Sequence, residues 1–168
     1  MIPKELLPAD LMGSAFIAGG YAACPALARD LDVWVLAPEA EDLESARERI
    51  LAHLESTMWP YEALDWMTEE YGTTHAMLVA TVRSSHLTHP VQILVTHSQP
   101  VDLLETFDIS THQVALVLGN VVKGSSWTPV TEPPVMLRRS PSTPVRMAKI
   151  AKRFGHPAPF DILNPEVR

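Results

Sequence analysis

Cysteine is nearly absent: Cys24 is the only one in 168 residues. No internal disulfide can form, and a reducing cytoplasm is the expected compartment. Cys24 has no His or Asn close in sequence and is expected to be a small packing residue, not a nucleophile. No apolar run approaches the ~20 residues of a membrane span. The opening Met1–Asp10 lacks the basic start and long apolar stretch of a secretory signal. No membrane partner is expected. Basic residues are also scarce over most of the length, five Lys/Arg against seventeen Asp/Glu in residues 1–120. That balance argues against gripping duplex nucleic acid with the whole surface. Residues 121–168 reverse it, eight basic against three acidic, which leaves room for a local phosphate or nucleic-acid contact. There is no internal repeat and no low-complexity block.

What is present is a globular composition, 46% hydrophobic and 20% charged, large enough for one real core. The organising stretch is Phe16–Ala37. It predicts a strand (Ala15–Ala18), a paired-glycine turn (Gly19-Gly20), a helix over about Ala22–Ala28 and a second strand (Leu31–Ala37). Paired glycines let backbone approach a ligand closely, and a following helix offers unpaired N–H groups, which suits a phosphate. Asp30 and Asp32, one residue apart at the start of the second strand, point to the same face. Two carboxylates that close repel unless a cation lies between them. Together these features imply a Mg²⁺–nucleotide site. A dinucleotide-binding loop is excluded, because no third glycine follows at the required spacing.

A strand, a Gly-Gly turn, a short helix and an Asp-x-Asp strand resemble the DNA polymerase beta-type nucleotidyltransferase superfamily. The Gly-Gly to Asp-x-Asp segment is similar to the opening of tRNA CCA-adding enzymes and poly(A) polymerases. Val91–Leu94 and Phe107–Ser110 with Gln113 look like small nucleotidyltransferase-like proteins of phages and large DNA viruses. The resemblance implies that Gly19 and Gly20 bind a triphosphate and that Asp30 and Asp32 hold two Mg²⁺ ions for an in-line displacement. It implies an α/β (α+β) fold with a small mixed sheet, flanking helices and a C-terminal basic helix. Residues 1–124 would be the core, and 125–168 a Pro-rich connection and helix packed on it.

Ordinary members of that family carry a third carboxylate on a neighbouring strand, where this chain has Gln92. An amide cannot act as a general base and is a poor Mg²⁺ ligand beside carboxylates. Asp108, expected to begin a strand, is the candidate substitute, with a hydrogen-bonding role at a turn as the alternative. Tyr21 and Arg29 flank the motif and complete the candidate nucleotide contacts with Gln92, Lys149 and Lys152.

Elsewhere, residues 3–12 suggest a short helix broken by Pro8, and Glu39–Thr57 is the clearest helix. Trp59–Tyr71, ended by Gly72, is either a stacking platform for a base or a packed satellite of the core. His75–Val82 and Pro90–Thr96 predict a hairpin, Val101–Thr106 a short helix, and Gly119-Asn120 a second hairpin turn. Five histidines, His75, His86, His89, His97 and His112, fall within residues 75–112, without the spacing of a zinc site. His97 and His112 are the two expected near substrate. Thr143-Pro144 reads as an N-cap and first helical residue of a basic helix running to Phe154, stopped by Gly155. Prolines 157, 159 and 165 keep the tail irregular. The basic helix is expected beside the Asp-x-Asp edge, with Arg146, Lys149, Lys152 and Arg153 neutralising a triphosphate. The two functions in view are a nucleotidyltransferase acting on RNA, protein or a small molecule, and a binding or assembly module that has lost catalysis.

Overall fold

The computed structural model describes residues 2–68 and 76–157. His75, the end of the aromatic segment at Tyr71-Gly72, and Pro159 and Pro165 lie outside the described residues. Short runs rich in apolar and β-branched residues form seven strands: β1 (Ala15–Ala18), β2 (Leu31–Leu36), β3 (Tyr61–Thr68), β4 (Ala76–Val82), β5 (Val91–Thr96), β6 (Val114–Val117) and β7 (Asn120–Lys123). They make one mixed sheet in the order β3-β4-β5-β2-β1-β6-β7. β1 is antiparallel to β2, whereas β2 and β5 are parallel. The architecture is mixed α/β, as the sequence predicts.

Both faces of the sheet are covered, which is why the central strands are apolar on both sides. One face carries Leu31, Val33, Val35, Ile93 and Val95. It packs under α1 (Ala9–Met12) and α3 (Leu43–Thr57), which contribute Leu11, Ala46, Ile50 and Leu54. The other carries Phe16, Ala18, Trp34 and Leu94 and packs against Leu103 and Leu104 of α4 (Pro100–Glu105). A third, smaller cluster joins Ile109 to Met147 and Ile150 of α5 (Thr143–Arg153). Among the described residues no helix is long and apolar enough to cross a membrane.

Four local differences from the sequence reading have identifiable causes. The helix expected over Ala22–Ala28 is one turn, α2 (Gly20–Ala23), followed by a 3-10 turn at Pro25–Leu27. Cys24 between them is extended and half-buried, because a residue before proline is pushed out of the helical region. α3 begins at Leu43, not Glu39, since Asp42 accepts a hydrogen bond from the Ser45 amide at 2.7 Å and caps the helix there. Asp108 does not begin a strand: β6 starts only at Val114, after a 3-10 turn at Ser110–His112. Thr143 does not cap α5. Its hydroxyl donates instead to Asp108 at 2.6 Å, and Ser142 precedes the helix.

The segment Phe107–Gln113 works as a latch for the Pro-rich connection. Asp108 is 1% exposed and Gln113 2%. The Ser110 hydroxyl accepts from Thr128 Oγ1 at 2.6 Å and from the Val135 amide at 2.8 Å. Gln113 accepts from the Ser126 amide at 3.1 Å, and its side chain lies where a Cβ on Gly124 would stand. The Asp108 carbonyl accepts from the Leu137 amide at 2.8 Å. These bonds bring residues 124–142 back across the sheet and deliver α5 to the face that carries Asp32. Gly155, at φ +79°, ends the helix as expected.

Candidate functional site

The antiparallel β1–β2 pair and the parallel β2–β5 pair put the last residues of β1 and the first of β2 and β5 at one end of the sheet. Gly19-Gly20, Asp30-Leu31-Asp32 and Val91-Gln92 therefore meet there. Asp32 and Gln92 are direct register partners, so the amide stands beside the carboxylate on the same face. Gly19 adopts φ +89° and ψ −140°, a conformation suited to glycine alone. A Cβ at Gly19 would lie 3.7 Å from Asp32 Oδ2, so the turn passes close over the carboxylate.

The fourth wall is α5. Met147 and Ile150 seat it on Ile109, and the steps of three and four residues turn Arg146, Lys149 and Arg153 toward the sheet end. With Gly20, Asp30, Asp32 and Gln92 these side chains enclose a cavity of about 240 Å³. His112, from the 3-10 turn before β6, completes it.

The cavity carries both signs of charge, Asp30 and Asp32 on one side and Arg146, Lys149 and Arg153 on the other. Burial first, and repulsion from Asp30 second, push the Asp32 carboxyl up to about 7, against the partly offsetting pull of Arg146. Asp32 Oδ1 is buried without a hydrogen-bond partner. Burial, then the Arg146 and Arg153 guanidiniums, hold the His112 imidazole down at about 3. Held so low, the imidazole is neutral throughout the physiological range.

The residues fit a single Mg²⁺ ion. The unpartnered Asp32 oxygen and its repulsion by Asp30 are compatible with a cation between the two carboxylates, and Mg²⁺ is commonly held by one or two carboxylates together with substrate phosphates. Among the described residues no three His, Cys, Asp or Glu side chains group as metal ligands. Gln92 stands in register with Asp32, where the resemblance would lead one to expect a third carboxylate.

Of the residues singled out in the sequence, Gly20, Asp30, Asp32, Gln92 and Lys149 line this cavity, and Gly19 abuts it. Asp108 does not line it. Its carboxylate accepts from Thr143 and, at 3.0 Å, from Arg146, so it holds a cavity-lining cation in place. Tyr21 points to the opposite face, edge-on to His89 at 5.7 Å between ring centroids. Arg29 and Lys152 are exposed and outside the lining. His97 sits beyond the far end of β5, 2.7 Å from the Glu41 carbonyl. The aromatic segment forms edge strand β3, separated from β2 by two strands, with Trp59 packed on the core and Trp66 half-exposed. Among the described residues of the segment, none lines this cavity. Arg146 and Arg153, singled out in the sequence on the basic helix, and His112, singled out there as a candidate near substrate, also line the cavity. The 3-10 turn before β6 is what places His112.

Neither family models nor curated proteins match this chain in sequence.

Proposed function

We propose that the protein is a metal-dependent nucleotidyltransferase that moves a nucleoside monophosphate from a nucleoside triphosphate to a hydroxyl acceptor on RNA, protein or a small molecule. The observation that carries this reading is one cavity in which paired carboxylates face three cations. Asp30 and Asp32 would hold Mg²⁺, which when bound supplies Lewis-acid charge to the phosphoryl oxygens. Arg146, Lys149 and Arg153 neutralise the β- and γ-phosphates and the pyrophosphate that leaves. Gly19 and Gly20 keep the wall clear of side chains, so the chain of phosphates can lie against the backbone. The acceptor oxygen bonds to the α-phosphorus as the bond to the bridging oxygen of pyrophosphate breaks, and the hydroxyl proton leaves to solvent.

A second reading rests on two particular residues. Gln92 stands in register with Asp32, and Asp108 is committed to Thr143 and Arg146. A site with two carboxylates and an amide suits a nucleotide-binding or assembly module whose catalysis has been lost. One experiment separates the readings: titration with nucleoside triphosphates in Mg²⁺, followed by incubation with α-labelled triphosphate and RNA, protein and small-molecule acceptors. Binding abolished by Asp30→Ala with Asp32→Ala, together with label transfer, supports the transferase. Binding without transfer supports the module. Absent binding, or binding indifferent to the double substitution, overturns the transferase, and absent binding together with a stable oligomer or a captured protein partner supports the assembly module.

A further inference from the structure

Four buried side-chain polar atoms of the described residues have no hydrogen-bond partner: Asp32 Oδ1, Thr111 Oγ1, His112 Nε2 and Arg153 Nε. Orphaned buried groups are rare, because each loses its hydration without compensation. Three of these four belong to residues lining one cavity, and the fourth is the neighbour of His112. They do not ask for the same partner. Asp32 Oδ1 is an acceptor facing a carboxylate and calls for a cation. Arg153 Nε is a donor only, and His112 Nε2 is a donor in one neutral tautomer.

The two nitrogen-bearing groups converge on Gly20. A Cβ built there would stand 3.7 Å from His112 Cε1, 3.8 Å from His112 Nε2 and 4.0 Å from Arg153 Nη1. A glycine thus keeps open a space flanked by an imidazole and a guanidinium.

We propose that this corner, formed by His112, Arg153 and Gly20, is an oxyanion subsite that binds a phosphoryl group directly, without a metal ion. The subsite rests on the reading of the cavity as a triphosphate site, but it does not use the carboxylates. His112 contributes a dipole and a hydrogen bond and stays uncharged beside two guanidiniums, while Arg153 supplies the charge. The Asp30–Asp32 corner and the His112–Arg153 corner then divide the ligand, one through Mg²⁺ and the other by direct hydrogen bonds. The charged groups around the subsite, Arg146 and Lys149 on α5 and Asp30 and Asp32 on β2 and its approach, set its salt dependence.

The probe is inorganic tripolyphosphate, titrated calorimetrically into the full-length protein in EDTA and separately in Mg²⁺. Binding is expected in EDTA, weakened about ten- to a hundredfold by Arg153→Gln and by His112→Ala. Gly20→Ala, which fills the space with a methyl group, is expected to do the same. Asp30→Asn with Asp32→Asn should tighten binding in EDTA, since it removes repulsion, while abolishing the gain from Mg²⁺. Thermal midpoints confirm that each variant is folded, and Arg153→Gln, on a partly exposed side chain, stands in for any that is not. Tripolyphosphate that binds only with Mg²⁺ overturns the subsite and leaves the nucleotidyltransferase reading intact. Metal-free binding indifferent to Arg153 and His112 also overturns it. Metal-free binding that depends on both, in a protein that transfers no nucleotide, supports the subsite and counts against the transferase.

Discussion

Asp32 and His112 are displaced from their ordinary protonation in opposite senses, and the metal-free protein should register both. The Asp32 carboxyl, at about 7 in the fold against an ordinary 3.8, keeps a proton that the unfolded chain has lost. Its contribution to stability therefore falls as pH rises from about 4 to 7. The His112 imidazole, at about 3 against an ordinary 6.5, lacks a proton that the unfolded chain binds. Its contribution is present above 6.5 and is lost as pH drops toward 3. Between about pH 4 and 6.5 the slopes oppose and the wild type should be nearly flat. In EDTA, the urea midpoint of Asp32→Asn should rise with pH across that window, and that of His112→Gln should fall. Parallel profiles for the two variants would show that the groups are not displaced as the geometry implies.

The decisive element is α5. Its charged residues fall on two sides: Arg146, Lys149 and Arg153 line the cavity, and Lys152, exposed like Lys149, lies outside the lining. Exposed charge acts weakly through solvent, while charge at a partly enclosed ligand acts strongly. Lys149→Glu should weaken Mg²⁺–triphosphate binding about tenfold or more, and Lys152→Glu by less than about threefold, with wild-type affinity falling as salt is added. Equal effects of the two reversals would make α5 only a diffuse source of positive charge. The helix is held there by Asp108, which ties Thr143 and Arg146 to the latch segment. Asp108→Asn keeps an acceptor for Thr143 but weakens the hold on Arg146. It should cost about 1–3 kcal/mol in chemical denaturation.

At the scale of the molecule, the Asp30–Asp32 edge and the basic helix α5 face each other across the cavity. The segments that form it, Gly19-Gly20, Asp30–Asp32, Gln92, His112 and α5, come from the length of the chain and meet only in the fold. A ligand that bridges them binds the folded state alone. Mg²⁺ with triphosphate at about a hundred times its dissociation constant should therefore stabilise the protein by roughly 2.7 kcal/mol, seen as a raised thermal midpoint. Asp30→Ala with Asp32→Ala should remove that increment.

Local pattern was enough for much of this. The Gly-Gly turn, the Asp-x-Asp strand, the strand carrying Gln92 and the basic helix are each written in a few neighbouring residues, by periodicity, turn chemistry and spacing. The same holds for the mixed α/β class. The tertiary structure alone decided what those pieces meet. Asp108 looks, in sequence, like a carboxylate for the site, yet its partners Thr143 and Arg146 lie 35 and 38 residues away and claim it for holding α5. Tyr21 adjoins the glycine pair in sequence, but the one-turn helix broken before Pro25 turns it to the opposite face, against His89. His112 gains its place from a latch whose hydrogen bonds join residues 107–113 to residues 124–137. Strand and helix periods are set by each residue's own neighbours. Which buried polar group finds which partner is set by long-range packing, and no stretch of chain carries that information by itself.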